Sequence, residues 1–136
     1  MSMQTQKAVT WGLLVLALLM SGASSLFELY DVFGWYDEVL HGYMSFALSL
    51  LLALYAYDTI LTGRRRHEVL LVLAVAALGL AAGAVWEIWE WLYDLYTANN
   101  SILGKTDTMI DLCLDLAGGI TAVIVSLPML RSRKKQ

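Results

Sequence analysis

Four stretches of this chain are each long and apolar enough to cross a bilayer, and they leave it few ways to fold. They run from Ala8 to Phe27, from about Val39 to Leu61, from Val69 to about Tyr93 and from about Thr108 to Leu130. The hydrocarbon core takes about 20 residues of helix to span. Only 15% of the chain is charged and 59% is hydrophobic, with one proline, where a soluble domain would carry about 25% charged residues. No linker, repeat or low-complexity tract separates the spans. The expectation is an all-α membrane protein: a four-transmembrane-helix bundle with short loops, in which residues 1–136 form a single membrane domain.

Orientation follows from the basic residues, which collect on the cytoplasmic side. Lys7 precedes the first span, Arg64, Arg65 and Arg66 separate the second from the third, and Arg131, Arg133, Lys134 and Lys135 follow the fourth. Only Lys105 lies opposite. Both termini are therefore expected to be cytoplasmic (N-in/C-in), in the cytoplasmic (inner) membrane, with anionic lipid as a contact for the arginines. The acids do the reverse. Glu28, Asp31, Asp37, Glu38, Glu87, Glu90, Asp94, Asp107, Asp111 and Asp115 fall in the outer half, and only Asp58 and Glu68 lie near the inner side. Trp35, Tyr36, Trp89, Trp91, Tyr93 and Tyr96 suit an outer aromatic belt; Trp11, Tyr55 and Tyr57 suit an inner one. Lys7, Leu13 to Met20 and Ser21-Gly22-Ala23 resemble a cleavable secretory signal. The apolar run continues to Phe27, however, so retention is expected; cleavage would leave three spans and the acidic end in place.

A membrane helix that opens with stacked acids needs an answering group. Asp107, Asp111 and Asp115 are four apart, hence on one helical face, and the apolar run to Leu130 follows directly. Asp37 and His41 stand at i and i+4 of the second span, and Glu87 and Glu90 at i and i+3 near the end of the third. His41, Glu87 and Asp111 each lie about 20 residues from the basic end of their helices, so at 1.5 Å per residue they share a level, with Asp115 about 6 Å deeper. Steps of four inward from these residues meet small side chains: Gly83 and Gly79, then Ser45, Ser49 and Ala53, then Gly119 beside Gly118 and Ala122. Such stripes suit close helix packing, which would turn the acids toward one another. The first helix could join through Ser21, Ser25 and Glu28.

Several carboxylates close together in a low-dielectric site must bind a cation, hold protons or spread into water. Carboxylate oxygens with a single imidazole suit a divalent metal ion such as Mg²⁺, Mn²⁺, Fe²⁺ or Zn²⁺. The expected metal ligands are Asp37, His41, Glu87, Glu90, Asp107, Asp111 and Asp115, with His41 or Glu87 available as acid/base. Asp37 and Asp107 also suit ordinary first-turn acids that complement a helix dipole, and Glu90 and Asp94 could be solvated above the interface. Cys113, two residues from Asp111 and Asp115, falls on another face, where packing is expected; alone, it excludes an intrachain disulfide. The basic clusters lack interleaved aromatics, so no nucleic-acid partner is expected.

The residues that carry the site also carry a resemblance. Tyr36-Asp-Glu-Val-Leu-His41, Trp86-Glu-Ile-Trp-Glu90, Asp107-Thr-Met-Ile-Asp111 and Asp115-Leu-Ala-Gly-Gly119 resemble the small YjdF-like bacterial and archaeal membrane proteins. The wider VanZ-like group shows a similar order, but it often has Gln where Glu90 stands and Asn where Asp115 stands, so the YjdF-like likeness is closer. The resemblance spans helices two to four and implies a site, not an activity; the glycopeptide resistance linked to VanZ-like proteins does not carry over.

Three functions are compatible with these residues. The first is a metal-dependent enzyme acting on a lipid or lipid-linked envelope substrate at headgroup depth, with Ser45 and Thr108 as nucleophiles only by proximity. The second is a cation or proton transporter or a metal-binding sensor, although the inner half offers little polar path beyond Ser45, Ser49, Thr121, Ser126 and Asp58. The third is a structural or accessory membrane protein, in which Gly79 and Gly83 could serve a homodimer. Orientation is testable separately: a reporter active only in the periplasm should stay silent when fused after Arg131, and activity there would reverse the assignment.

Overall fold

The computed structural model describes residues 2–60, 65–97, 102 and 104–133. Over them it is helical, with α1 Met3–Phe27, α2 Leu29–Val32, α3 Tyr36–Ile60, α4 Arg65–Thr97 and α5 Lys105–Arg133. Four of these helices hold spans long and apolar enough to cross a membrane: Gln4–Ser24, Tyr36–Tyr55, Val69–Thr97 and Lys105–Met129. Leu61, Arg64, Lys134 and Lys135 lie outside the described residues. So do the side chains of Ser25, Asp31, Tyr57, Asp58, Arg65, Arg66, His67, Glu68, Leu130, Arg131 and Arg133.

Local chemistry sets the helix ends. Ser2 caps α1, its Oγ accepting from the Thr5 N–H at 3.2 Å, as short hydroxyl side chains do at first turns. The helix stops at Glu28, which sits in the left-handed region at φ 53° while its N–H donates to Ser24 O. That conformation is uncommon for a residue with a side chain. It turns the chain into the single turn of α2. At 1.5 Å per residue α4 is about 50 Å long, well beyond the hydrocarbon core of about 30 Å, so one end projects past it. Near the C-terminal end of α4 Asp94 Oδ2 accepts from the Ile102 N–H at 2.9 Å. Gly104, at φ 132°, makes a turn that only glycine adopts readily. Hence α5 begins at Lys105, three residues before the expected Thr108.

The small stripes meet as their spacing implied. α3 is the central helix, packed against α5, α4 and α1, while α4 also packs on α5. At Gly118, an added Cβ would strike Gly42 O of α3 and lie 2.9 Å from Phe46 N. One at Gly119 would lie 3.1 Å from the Ala76 backbone of α4. Backbone-to-backbone approach of this kind is available only to residues without bulk. Towards the end of α3 that faces away from the acids, the packing changes to Leu50, Ala53, Leu54, Leu71, Val75, Ala122 and Val123, a closed apolar layer.

The first helix stands apart. Among the described residues α1 packs only on α3 and α2, and reaches neither α4 nor α5. Glu28 is exposed, so it does not join the acids; Ser24 is the buried serine of that turn, its Oγ donating to Ser21 O. Two hydroxyls fasten α3 to α1: Tyr36 donates to Met20 O at 3.0 Å and Tyr43 to Leu13 O at 3.1 Å. Tyr36 is thus half-buried with its hydroxyl turned into the bundle, whereas Trp35, Trp89, Trp91, Tyr93 and Tyr96 are exposed. At the other end Trp11 donates to Tyr55, over whose ring Lys7 sits at 4.2 Å. Cys113 also departs from expectation. It is exposed, because a position two residues from two inward-facing aspartates points away from the bundle.

Candidate metal centre

Three helices deliver one layer of polar side chains into the packed interior. His41 comes from the second turn of α3, Glu87 from α4, and Asp111 and Asp115 from α5. All four are buried, with Asp111 and Asp115 each 1% exposed. Half-buried Asp37 and Glu90 close the outer rim.

His41 is the hub. Its Nδ1 lies 3.1 Å from Asp115 Oδ2, and the other Asp115 oxygen accepts from Ser45 Oγ at 2.5 Å. A carboxylate can only accept, so Nδ1 is the donor and the lone pair of a neutral imidazole is left on Nε2. That nitrogen turns toward the acids, 3.7 Å from Glu87 Oε1 and 3.9 Å from Asp37 Oδ1. Both separations are too long for a hydrogen bond, and Nε2 is buried without a partner. Asp37 Oδ1 and Asp111 Oδ1 are buried and unpartnered in the same way. Leaving such atoms dry costs on the order of 1–3 kcal/mol each, more when charged. Glu38 Oε2 is likewise unpartnered; nothing in the structure explains it.

The donor atoms form two overlapping sets. Asp37, His41 and Asp111 make one, and His41, Glu87 and Glu90 make the other, each with its atoms within 4.8 Å of one another. Ligands at about 2.1 Å from a common ion stand about 3 to 4.2 Å apart, depending on the angle between them. The 3.7 and 3.9 Å separations at Nε2 fall in that range. Neighbours fix the acids as well: Thr108 Oγ1 donates to Glu87 Oε2 at 2.9 Å, leaving Oε1 toward the imidazole, and Trp86 Nε1 donates to Glu90 Oε1 at 2.9 Å. The ion pairs of Asp37, Glu87 and Asp115 all go to the one imidazole. Among the described residues these carboxylates share a single imidazole, so the site is poised to take up positive charge.

Of the seven expected ligands, five enter the two sets and two do not. Asp115 stands behind the imidazole, where a carboxylate fixes the ring and its tautomer. Asp107 is half-buried in the first turn of α5, consistent with a dipole-complementing acid. Ser45 and Thr108 prove to be anchors, each spending its hydroxyl proton on a site carboxylate. Their roles were hidden because spacing shows which residues share a face, but not which partner the neighbouring helix offers.

A family model described as a predicted membrane protein (DUF2238) matches residues 3–132. The chain belongs to this family. That DUF2238 membership agrees with the YjdF-like likeness of the three motif blocks. No curated protein and no solved structure gives a significant match to this DUF2238 chain.

Gly83 makes the most direct test of this packing, because a Cβ there would fall on the Asp115 carboxylate. Gly83→Ala should lower thermal stability in detergent, and Asp115→Ala should relieve that clash. The double variant should then be more stable than the summed single losses imply, by about 0.5–3 kcal/mol, the range for residues in contact. Strict additivity would contradict the placement of Asp115 against α4.

Proposed function

We propose that this protein is a divalent-metal-dependent membrane enzyme acting on a lipid or lipid-linked substrate at the outer face of the cytoplasmic membrane. The observation that carries the reading is the convergence of buried, unpartnered donors: His41 Nε2, Asp37 Oδ1 and Asp111 Oδ1, from three residues whose donor atoms lie within 4.8 Å of one another. Oxygen-rich donors with one imidazole favour Mg²⁺, Mn²⁺, Fe²⁺ or Zn²⁺ over soft ions. Asp37, His41, Glu87, Glu90 and Asp111 are the ligands in this reading. Asp115, Ser45 and Thr108 position them, and Glu87 is also the nearest group for moving a proton. A metal here would polarise a phosphate or carbonyl oxygen, or acidify a bound water.

Transport is the weaker reading for a specific reason. Below the acids Ser45 spends its hydroxyl on Asp115, and the buried hydroxyls of Ser49 and Ser126 reach the backbone carbonyls of Val75 and Val123. The apolar layer around Leu54 and Val75 follows, so among the described residues of α3, α4 and α5 the acid layer gives way to apolar packing and to hydroxyls already spent. A site closed at one end suits chemistry at a surface better than passage.

Elemental analysis of detergent-purified protein, grown with the metal supplied, tests the proposal. Wild type should carry close to one divalent ion per chain, and Glu87→Ala/Asp111→Ala should lose it. Removing the ion with chelator should lower the melting temperature, since ligand at about 100 Kd contributes roughly 2.7 kcal/mol. Equally metal-free wild type and variant would end the metal reading. Ion flux in proteoliposomes that the variant abolishes would replace the enzyme with a transporter.

A further inference from the structure

The gap between α1 and α4 is filled by neither helix. A cavity of about 310 Å³ occupies it, walled by Leu14 and Leu18 of α1, Met44 and Leu48 of α3, and Ala82 of α4. The wall is almost wholly apolar, but His41, Ser45 and Asp115 line it too, so the cavity runs from a greasy flank to the back of the imidazole. Because α1 packs on neither α4 nor α5, the gap is open at the side. Leu14, Leu48 and Ala82 all fall within candidate membrane spans, which puts that opening at hydrocarbon depth. What bathes it is then lipid chain, not water.

We infer that this lateral cleft takes one acyl chain of a membrane phospholipid, threaded between α1 and α4 so that its polar end meets the His41 layer. Volume and lining match the occupant: small-molecule sites begin at about 300 Å³ and are mostly apolar, with a few convergent polar groups. A headgroup alone would find little to hold it in this cleft, since apart from Ser21 the walls above the His41, Ser45 and Asp115 floor are apolar. Trp86 links the two parts. Its ring lines the cleft while its Nε1 donates to Glu90 Oε1, so a chain seated there presses on a residue that holds a rim carboxylate. The tail's place rests on the cleft itself; calling the lipid a substrate rests on the reading of the site as a lipid-acting enzyme.

The test uses full-length protein in nanodiscs made from diacyl phosphatidylethanolamine with a minor share of polyprenyl phosphate, followed by mild detergent release and native mass spectrometry. Metal content is measured on the same samples. Wild type should retain one phosphatidylethanolamine per chain. Ala82→Phe, which fills the cleft, should lower that occupancy at least tenfold with metal content unchanged. Ala81→Phe, on the exposed neighbouring face of α4, should retain lipid as wild type does. Wild type without retained lipid, or equal retention in Ala82→Phe and Ala81→Phe, would overturn the inference. Retained polyprenyl phosphate in place of phosphatidylethanolamine would overturn the acyl assignment. Metal lost from wild type while lipid is retained would count against the metal site alone and leave the cleft standing.

Discussion

The contact on which the rest depends is the buried pair between His41 Nδ1 and Asp115 Oδ2, 3.1 Å long and under the acid layer. Burying an imidazole and a carboxylate together is expensive, and the pair holds only if the remaining lone pairs are satisfied. Ser45 satisfies the second Asp115 oxygen. Gly83 leaves the room in which that carboxylate lies, and Gly79 and Gly119 let α4 and α5 approach closely enough to enclose it. The small-residue seams are thus the steric condition for one charge-bearing contact. That contact in turn decides which imidazole nitrogen points to the acids.

The same contact divides the molecule into two halves of opposite character. On one side of it ligand atoms are left over: Nε2, Asp37 Oδ1 and Asp111 Oδ1 have no hydrogen-bond partner. On the other side, among the described residues of α3, α4 and α5, the hydroxyls of Ser49 and Ser126 are taken by carbonyls and an apolar layer closes the packing. Buried polar atoms without a hydrogen-bond partner are rare in native proteins and call for an explanation such as an ion or water between them. Their concentration at one level, with a sealed layer behind, is what makes a fixed cation site the economical explanation.

Much of this was legible in the sequence, for reasons of period. Four long apolar runs define four helices, and steps of four from Glu87, His41 and Asp115 land on glycine, serine and alanine, so the inward faces could be read directly. Level could be read too, because rise per residue is constant along a helix. What spacing could not supply was azimuth between helices. Asp115 shares its face with Asp111, yet a neighbouring imidazole makes one of them an anchor and the other a donor. The same limit hid the tie from Thr108 to Glu87 and the exposure of Cys113. It also hid the position of α1, whose generic sequence gives no sign that it leans on α3 without reaching α4 or α5 and leaves a cleft beside it.

The site and the cleft meet at one ring, which gives the molecule a direction. An apolar cleft opens past Leu14 and Ala82, the polar layer lies at its end, and His41 belongs to both. The central claim is that His41 Nε2, held by Asp115, is a metal ligand. Electron spin-echo spectroscopy of the Mn²⁺-loaded protein tests it most directly, since coupling to a directly bound imidazole nitrogen is distinct from that of water or carboxylate oxygen. The expected spectrum shows one such nitrogen in wild type and none in His41→Gln. Nitrogen coupling absent from wild type, or identical in the two proteins, would contradict it.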